Sequence, residues 1–172
     1  LDTSNIRYMY LEKTIERIQI LSKQSDFWAK LISSKEITFN GKRLKNLPYI
    51  TKIKEQEVDR LIKKTEIQII HGDFCFSNIL YDSENENSKL IDPRGKWGHD
   101  VYGDIKYDVA KIRHSIVGGF DTITNGLYSA TYSETDGIFA DVYKPKNYES
   151  ICEKLDLRIW ERWDLDEIKI IV

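Results

Sequence analysis

The feature that most limits what this chain can become is a change of hydrophobic period partway along it. Residues 4 to 23 place Leu11, Ile15, Ile18 and Leu21 on one face at spacings of four and three, which predicts an amphipathic helix. Residues 26 to 32 predict a shorter helix. Residues 52 to 64 predict a third, with Val58, Leu61 and Ile62 inward and the lysines outside. The polar stretch between them, around Asn40-Gly41 and Pro48, reads as loop. From Ile67 the pattern shortens. Ile67, Ile69 and Ile70 predict one short strand, Asn78 to Tyr81 a second and Lys89 to Ile91 a third, the last two joined by the polar turn Asp82 to Asn87. Helical spacing returns over residues 104 to 117, with Ile105, Val109, Ile112 and Ile116 on one side and Gly118-Gly119 as its stop. Leu127 to Ser133 and Ile138 to Tyr143 alternate about Thr135-Asp136-Gly137, a hairpin signal, and residues 147 to 162 form a last complete helix. Long helices with strands this short give an α+β fold, mainly helical, with short antiparallel β-hairpins, in a single domain over residues 1–172.

Composition narrows the function classes. With 41% hydrophobic and 31% charged residues the chain belongs with ordinary globular proteins, and 172 residues suffice for one real core. The 26 basic and 28 acidic side chains nearly cancel, so net charge argues for neither nucleic acid nor an anionic membrane as partner. No apolar run approaches the ~20 residues that span a bilayer, and none resembles a signal peptide. Cys75 and Cys152 are too few and too far apart for a disulfide framework or a zinc knuckle, so a cytoplasmic location is expected. The chain starts at Leu1 inside a helical pattern. It ends soon after Asp164-x-x-Glu167, a capping-box spacing that opens a helix with Asp164 as cap and Glu167 reaching back, on apolar residues expected to be exposed. A fragment of a longer protein is the expectation.

The chemistry is concentrated in Ile70-His71-Gly72-Asp73-Phe74-Cys75-Phe76-Ser77-Asn78-Ile79-Leu80 and in Leu90-Ile91-Asp92-Pro93. Asp73 follows one strand, Asn78 enters the next, and Asp92 follows the third, so the three side chains can converge at neighbouring strand ends. Two carboxylates and an amide oxygen are hard donors that suit Mg²⁺, which takes few protein ligands together with waters and substrate phosphates. A carboxylate left free of the metal can orient an attacking hydroxyl and accept its proton.

His71-Gly72-Asp73-x-x-x-x-Asn78 followed by Ile91-Asp92 resembles the catalytic and metal loops of the aminoglycoside phosphotransferase and choline kinase family, relatives of the protein kinases. The resemblance implies the C-terminal lobe of a protein-kinase-like phosphotransferase, with Mg²⁺ and ATP or another nucleoside triphosphate. It implies Asp73 as catalytic base, Asn78 and Asp92 as metal ligands, and His71 as a loop-shaping residue. Asp108, in Tyr107-Asp108-Val109-Ala110, would hydrogen-bond the catalytic-loop backbone. Pro93-Arg94-Gly95 after Asp92 departs from the Phe-Gly of protein kinases and points to the small-molecule branch, where Arg94 would contact substrate or phosphate. Residues 100 to 121 resemble, more weakly, a bacterial branch associated with capsule and surface-sugar biosynthesis. The implied acceptor is a hydroxyl of a sugar, amino sugar or amino alcohol. The sequence offers no glycine-rich loop on a strand pair and no strand lysine paired to a helix glutamate, so the ATP-covering N-terminal lobe is expected to be missing and would be this chain's partner.

Blander readings accompany these. Asp100 and Asp104 fit a solvated helix start, favoured by the helix dipole. His114 reads as a packing residue and His99 as surface. Trp28, Trp160 and Trp163 read as core, while Trp97, near the metal loop, could wall a sugar or a quaternary amine. Two rival functions remain: a binding or scaffolding module carrying a relic motif, and a metal-dependent phosphoester hydrolase, for which three scattered histidines make a poor two-metal cluster.

Overall fold

The chain opens with α1 (Thr3–Arg7), passes through one π-helical turn (Tyr8–Glu12) into α2 (Lys13–Ser22), and continues with α3 (Asp26–Ser33), β1 (Glu36–Phe39), β2 (Lys42–Lys45) and α4 (Leu47–Ile62). Then come β3 (Ile67–Ile69), a 3-10 turn (Phe76–Asn78), β4 (Ile79–Asp82), β5 (Asn87–Leu90), β6 (Tyr102–Asp104), α5 (Ile105–Ile116) and α6 (Phe120–Thr124). The hairpin β7 (Tyr128–Ser133) and β8 (Gly137–Val142) precedes α7 (Tyr148–Trp160) and α8 (Leu165–Ile171). This computed structural model describes residues 3–96 and 101–172. The fold is α+β, about half helical, with small sheets. Two compact units are present, Leu1–Lys63 with Tyr128–Val142 and Lys64–Leu127 with Tyr143–Val172. Among the described residues no helix is long and apolar enough to cross a membrane.

In the first unit the π-helical turn buries three consecutive residues, Met9, Tyr10 and Leu11, which a regular α-helical turn would spread around the axis. The stretch expected to be loop is structured. Asn40 (φ 48°) and Gly41 (φ 73°) form the tight turn of the β1–β2 hairpin, and Asn-Gly is the residue pair such a turn favours. Asn40 also exchanges side-chain hydrogen bonds with both backbone groups of Ala140 (2.9 and 2.8 Å), which locks β1 beside β8 in the order β2-β1-β8-β7. α4 starts at Leu47, five residues before the periodicity suggests, because Pro48 suits a first helical turn. Its lysines are not all outside. Lys54 is buried, its Nζ donates to the Tyr10 carbonyl at 3.2 Å, and burial pulls its pKa down to about 8.

In the second unit β3 pairs with β6 and β4 with β5, both antiparallel, and α5 packs against α7 and α8. The isoleucine face expected for α5 is only half-buried; its buried stripe is Lys106, Tyr107, Asp108, Ala110, Lys111 and Ser115. Asp104 does cap this helix but is not solvated. It is 0% exposed, with Oδ1 accepting from the N–H groups of Glu66 (3.1 Å) and Lys106 (3.2 Å). Asp164 caps α8 through the Asp166 N–H (2.9 Å), and Glu167, expected to reach back to the cap, pairs with Lys64 (2.7 Å). The last isoleucines are not exposed, since Ile168 and Ile171 are both buried. The tryptophans are less buried than expected. Trp160 is 70% exposed, and Trp28 in the first unit is 36% exposed. Trp163 is half-buried and donates to Glu66 at 2.6 Å.

Candidate functional site

Every candidate residue lies in the second unit, on the loop between β3 and β4, the segment after β5, and α5. The loop begins at buried Ile70. Gly72 has φ 77° and is buried, a left-handed geometry that costs an L side chain roughly 1–2 kcal/mol. That conformation aligns two successive amides with one carboxylate. The His71 N–H donates to Asp108 Oδ2 (2.6 Å) and the Gly72 N–H to Asp108 Oδ1 (2.8 Å). Burial pushes the Asp108 carboxyl above its ordinary value, and the two N–H donors offset only part of that rise.

Asp73 follows directly. Its Oδ1 sits 2.9 Å from Lys111 Nζ and 3.8 Å from Arg94 Nη2, with the Asp73 side chain 37% exposed. His71 Nδ1 accepts from the Asp73 N–H (3.3 Å), and its Nε2 faces the Ile91 carbonyl (2.9 Å), the pairing of the Nε2-protonated tautomer. The loop then closes on itself. Cys75 N–H donates to the Asp73 carbonyl (3.0 Å), and Asn78 Nδ2 donates to the same carbonyl (2.8 Å). With its NH₂ end engaged, Asn78 has its carbonyl oxygen as the end left for a cation.

Asp92 stands at φ 53°, between two anchors to that loop. On one side the Ile91 N–H donates to the Asn78 carbonyl (3.0 Å), and on the other the Arg94 N–H donates to the His71 carbonyl (2.8 Å). The β4–β5 register, Ile79 opposite Leu90, brings Asn78 and Asp92 to the same end of that ladder. An amide oxygen and one exposed carboxylate fit Mg²⁺ by donor chemistry, as a partial shell completed by phosphates and water. No group of three or more His, Cys, Asp and Glu side chains able to hold a metal occurs among the described residues.

Two residues absent from the sequence reading hold this site. Lys111 is one; it lies three positions after Asp108 on α5 and hence on the same face, which was the available signal. Asp121 on α6 is the other. Its Oδ1 accepts from the Ser77 N–H (3.1 Å), steadying the 3-10 turn that delivers Asn78, and no sequence motif marks it. Burial pushes the Asp121 carboxyl up, but the Ser77 N–H bond and the nearby Ser115 and Ser77 hydroxyls and Phe76 amide outweigh it, so the net shift is downward. His114 is half-buried with its ring against Phe120 (5.0 Å), and burial together with the Lys111 charge lowers its pKa. Trp97, His99 and Asp100 lie outside the described residues.

No family model, no curated protein and no solved structure matches the chain.

Proposed function

We propose that this chain is the catalytic lobe of a small-molecule kinase, transferring the γ-phosphoryl group of ATP or another nucleoside triphosphate to a hydroxyl of a sugar, amino sugar or amino alcohol. One observation carries the reading. Asp73 sits on a loop whose amides are gripped by Asp108 and whose carbonyl is gripped by Asn78, with Asp92 tied alongside. That arrangement holds one carboxylate toward an acceptor and two oxygen donors toward a cation, which is what in-line phosphoryl transfer asks of a protein.

In this reading Asp73 orients the acceptor hydroxyl and takes its proton as the new O–P bond forms. The bond from the γ-phosphorus to its bridging oxygen breaks, and the nucleoside diphosphate leaves with the electron pair. Asn78 and Asp92 would hold Mg²⁺, which when bound neutralises phosphate charge. Arg94, its side chain 32% exposed, is placed to pair with an anionic oxygen of either reactant. Pre-alignment of this kind is worth several powers of ten in rate.

Isothermal titration of the chain with Mg²⁺-ATP, beside Asp92→Ala, is the first test; binding lost in the variant is the expected result. Acceptor-dependent release of nucleoside diphosphate by the whole protein is the second, and Asp73→Asn should cut it by several powers of ten to a small residual rate. A protein that neither binds Mg²⁺-nucleotide nor phosphorylates any hydroxyl acceptor overturns the proposal in favour of a binding module.

A further inference from the structure

Asp73 is gripped from behind by a side chain that nothing in the motif itself specifies. Lys111 reaches it from α5 at 2.9 Å, with its own side chain only 10% exposed and its ammonium 4.7 Å from the centre of the Phe120 ring. One helical turn earlier the same helix presents Asp108, which fixes the two amides before Asp73. A single rigid element therefore sets both the backbone and the carboxylate of the proposed base. Other titratable groups nearby include Arg94, at 3.8 Å on the more open side, Asp108 and His114 on the helix itself, and Asp121 on α6.

We infer that Lys111 is the positioning residue of Asp73: it holds Oδ1 from the buried side and so sets the orientation in which the carboxylate meets the acceptor hydroxyl. The inference rests on the phosphotransfer reading above and deepens it. Lys111 acts through Asp73 and does not touch the phosphates, whose proposed contacts are Asn78, Asp92 and Arg94. An ammonium seated on an aromatic face and excluded from water has little freedom to swing away, so the carboxylate rotamer is set before the acceptor arrives.

The test uses the whole protein that carries this chain. Lys111→Met removes the charge at nearly constant volume, and Lys111→Gln keeps a donor in its place. Expected is a loss in kcat of roughly 10- to 100-fold for Lys111→Met, smaller for Lys111→Gln, with KM for nucleotide unchanged. In an Asp73→Asn background, Lys111→Met should cost nothing further, because the residue through which it acts is already disabled. Folded variants with wild-type kcat overturn the inference while leaving the phosphotransfer reading intact. So does a loss as large in the Asp73→Asn background as in the native one, which would make Lys111 a direct substrate contact. A wild-type protein with no turnover and no nucleotide binding overturns the phosphotransfer reading, and the inference with it.

Discussion

At the scale of single residues, two buried charged groups make opposite demands. Lys54 keeps its amine out of water, with its pKa lowered to about 8 from 10.5 by burial. A base whose folded pKa is depressed contributes stability that is complete above the unfolded value and is lost as pH falls through the folded one. The stability of the native chain relative to Lys54→Met should therefore rise by up to about 3 kcal/mol between pH 7.5 and 10.5, measured by urea unfolding at each pH. A flat difference would mean that the amine is hydrated. Asp108 serves a geometric purpose instead. Asp108→Ala leaves the His71 and Gly72 amides without their acceptor, which should cost about 2–4 kcal/mol in urea unfolding, and Asp108→Asn less, since one oxygen remains. The identity of Asp108 as a candidate was legible from Tyr107-Asp108-Val109-Ala110. The burial of Lys54 was not, because α4 is longer than its apolar spacing suggests and meets the π-helical turn, whose Tyr10 carbonyl accepts a hydrogen bond from that lysine.

At the scale of elements, turns separate what local chemistry dictates from what packing adds. Gly41 and Gly137 both have positive φ, 73° and 81°. A side chain at Gly41 would meet nothing within 4 Å, whereas one at Gly137 would run into the backbone carbonyl of Thr38 on β1. Gly41→Ala should therefore cost about 1 kcal/mol, the backbone strain alone, and Gly137→Ala clearly more, compared by thermal unfolding under one condition. The β1–β2 hairpin could have been read from Asn40-Gly41 and the alternation of β1; the polarity of β2 hid it, because all of β2 is exposed and carries no alternating apolar signal. α5 misled in the opposite way. Its isoleucines follow a helical stripe, yet the face it buries most deeply holds Lys106, Asp108 and Lys111. Each of these is held by a backbone group or an opposite charge: Lys106 by the Lys64 carbonyl (2.6 Å), Asp108 by two amides, Lys111 by Asp73. A helix that buries paired charges breaks the simple apolar-inward rule.

At the scale of the whole molecule, the candidate chemistry is confined to one of the two compact units, and the side chain proposed to react there is expected to contribute little to stability. The Asp73 carboxylate is more than a third exposed, and partly exposed ion pairs contribute on the order of 1 kcal/mol or less. Asp73→Asn should thus leave the urea midpoint close to that of the native chain while removing all but a residual turnover. A collapse of both together would assign Asp73 to the framework instead. The sequence by itself determined the helix and strand types in most segments, the hairpins about residues 82–87 and 135–137, and the loop that carries Asp73 and Asn78, because period, turn residues and caps act over a few neighbours. Tertiary structure decided the burial of Lys54 and Asp104, the pairing of Glu167 with Lys64, and the grip of Lys111 and Asp121 on the loop. Those contacts join residues about 40 to 100 positions apart. Their partners exist only once the elements have packed, so no local pattern could announce them.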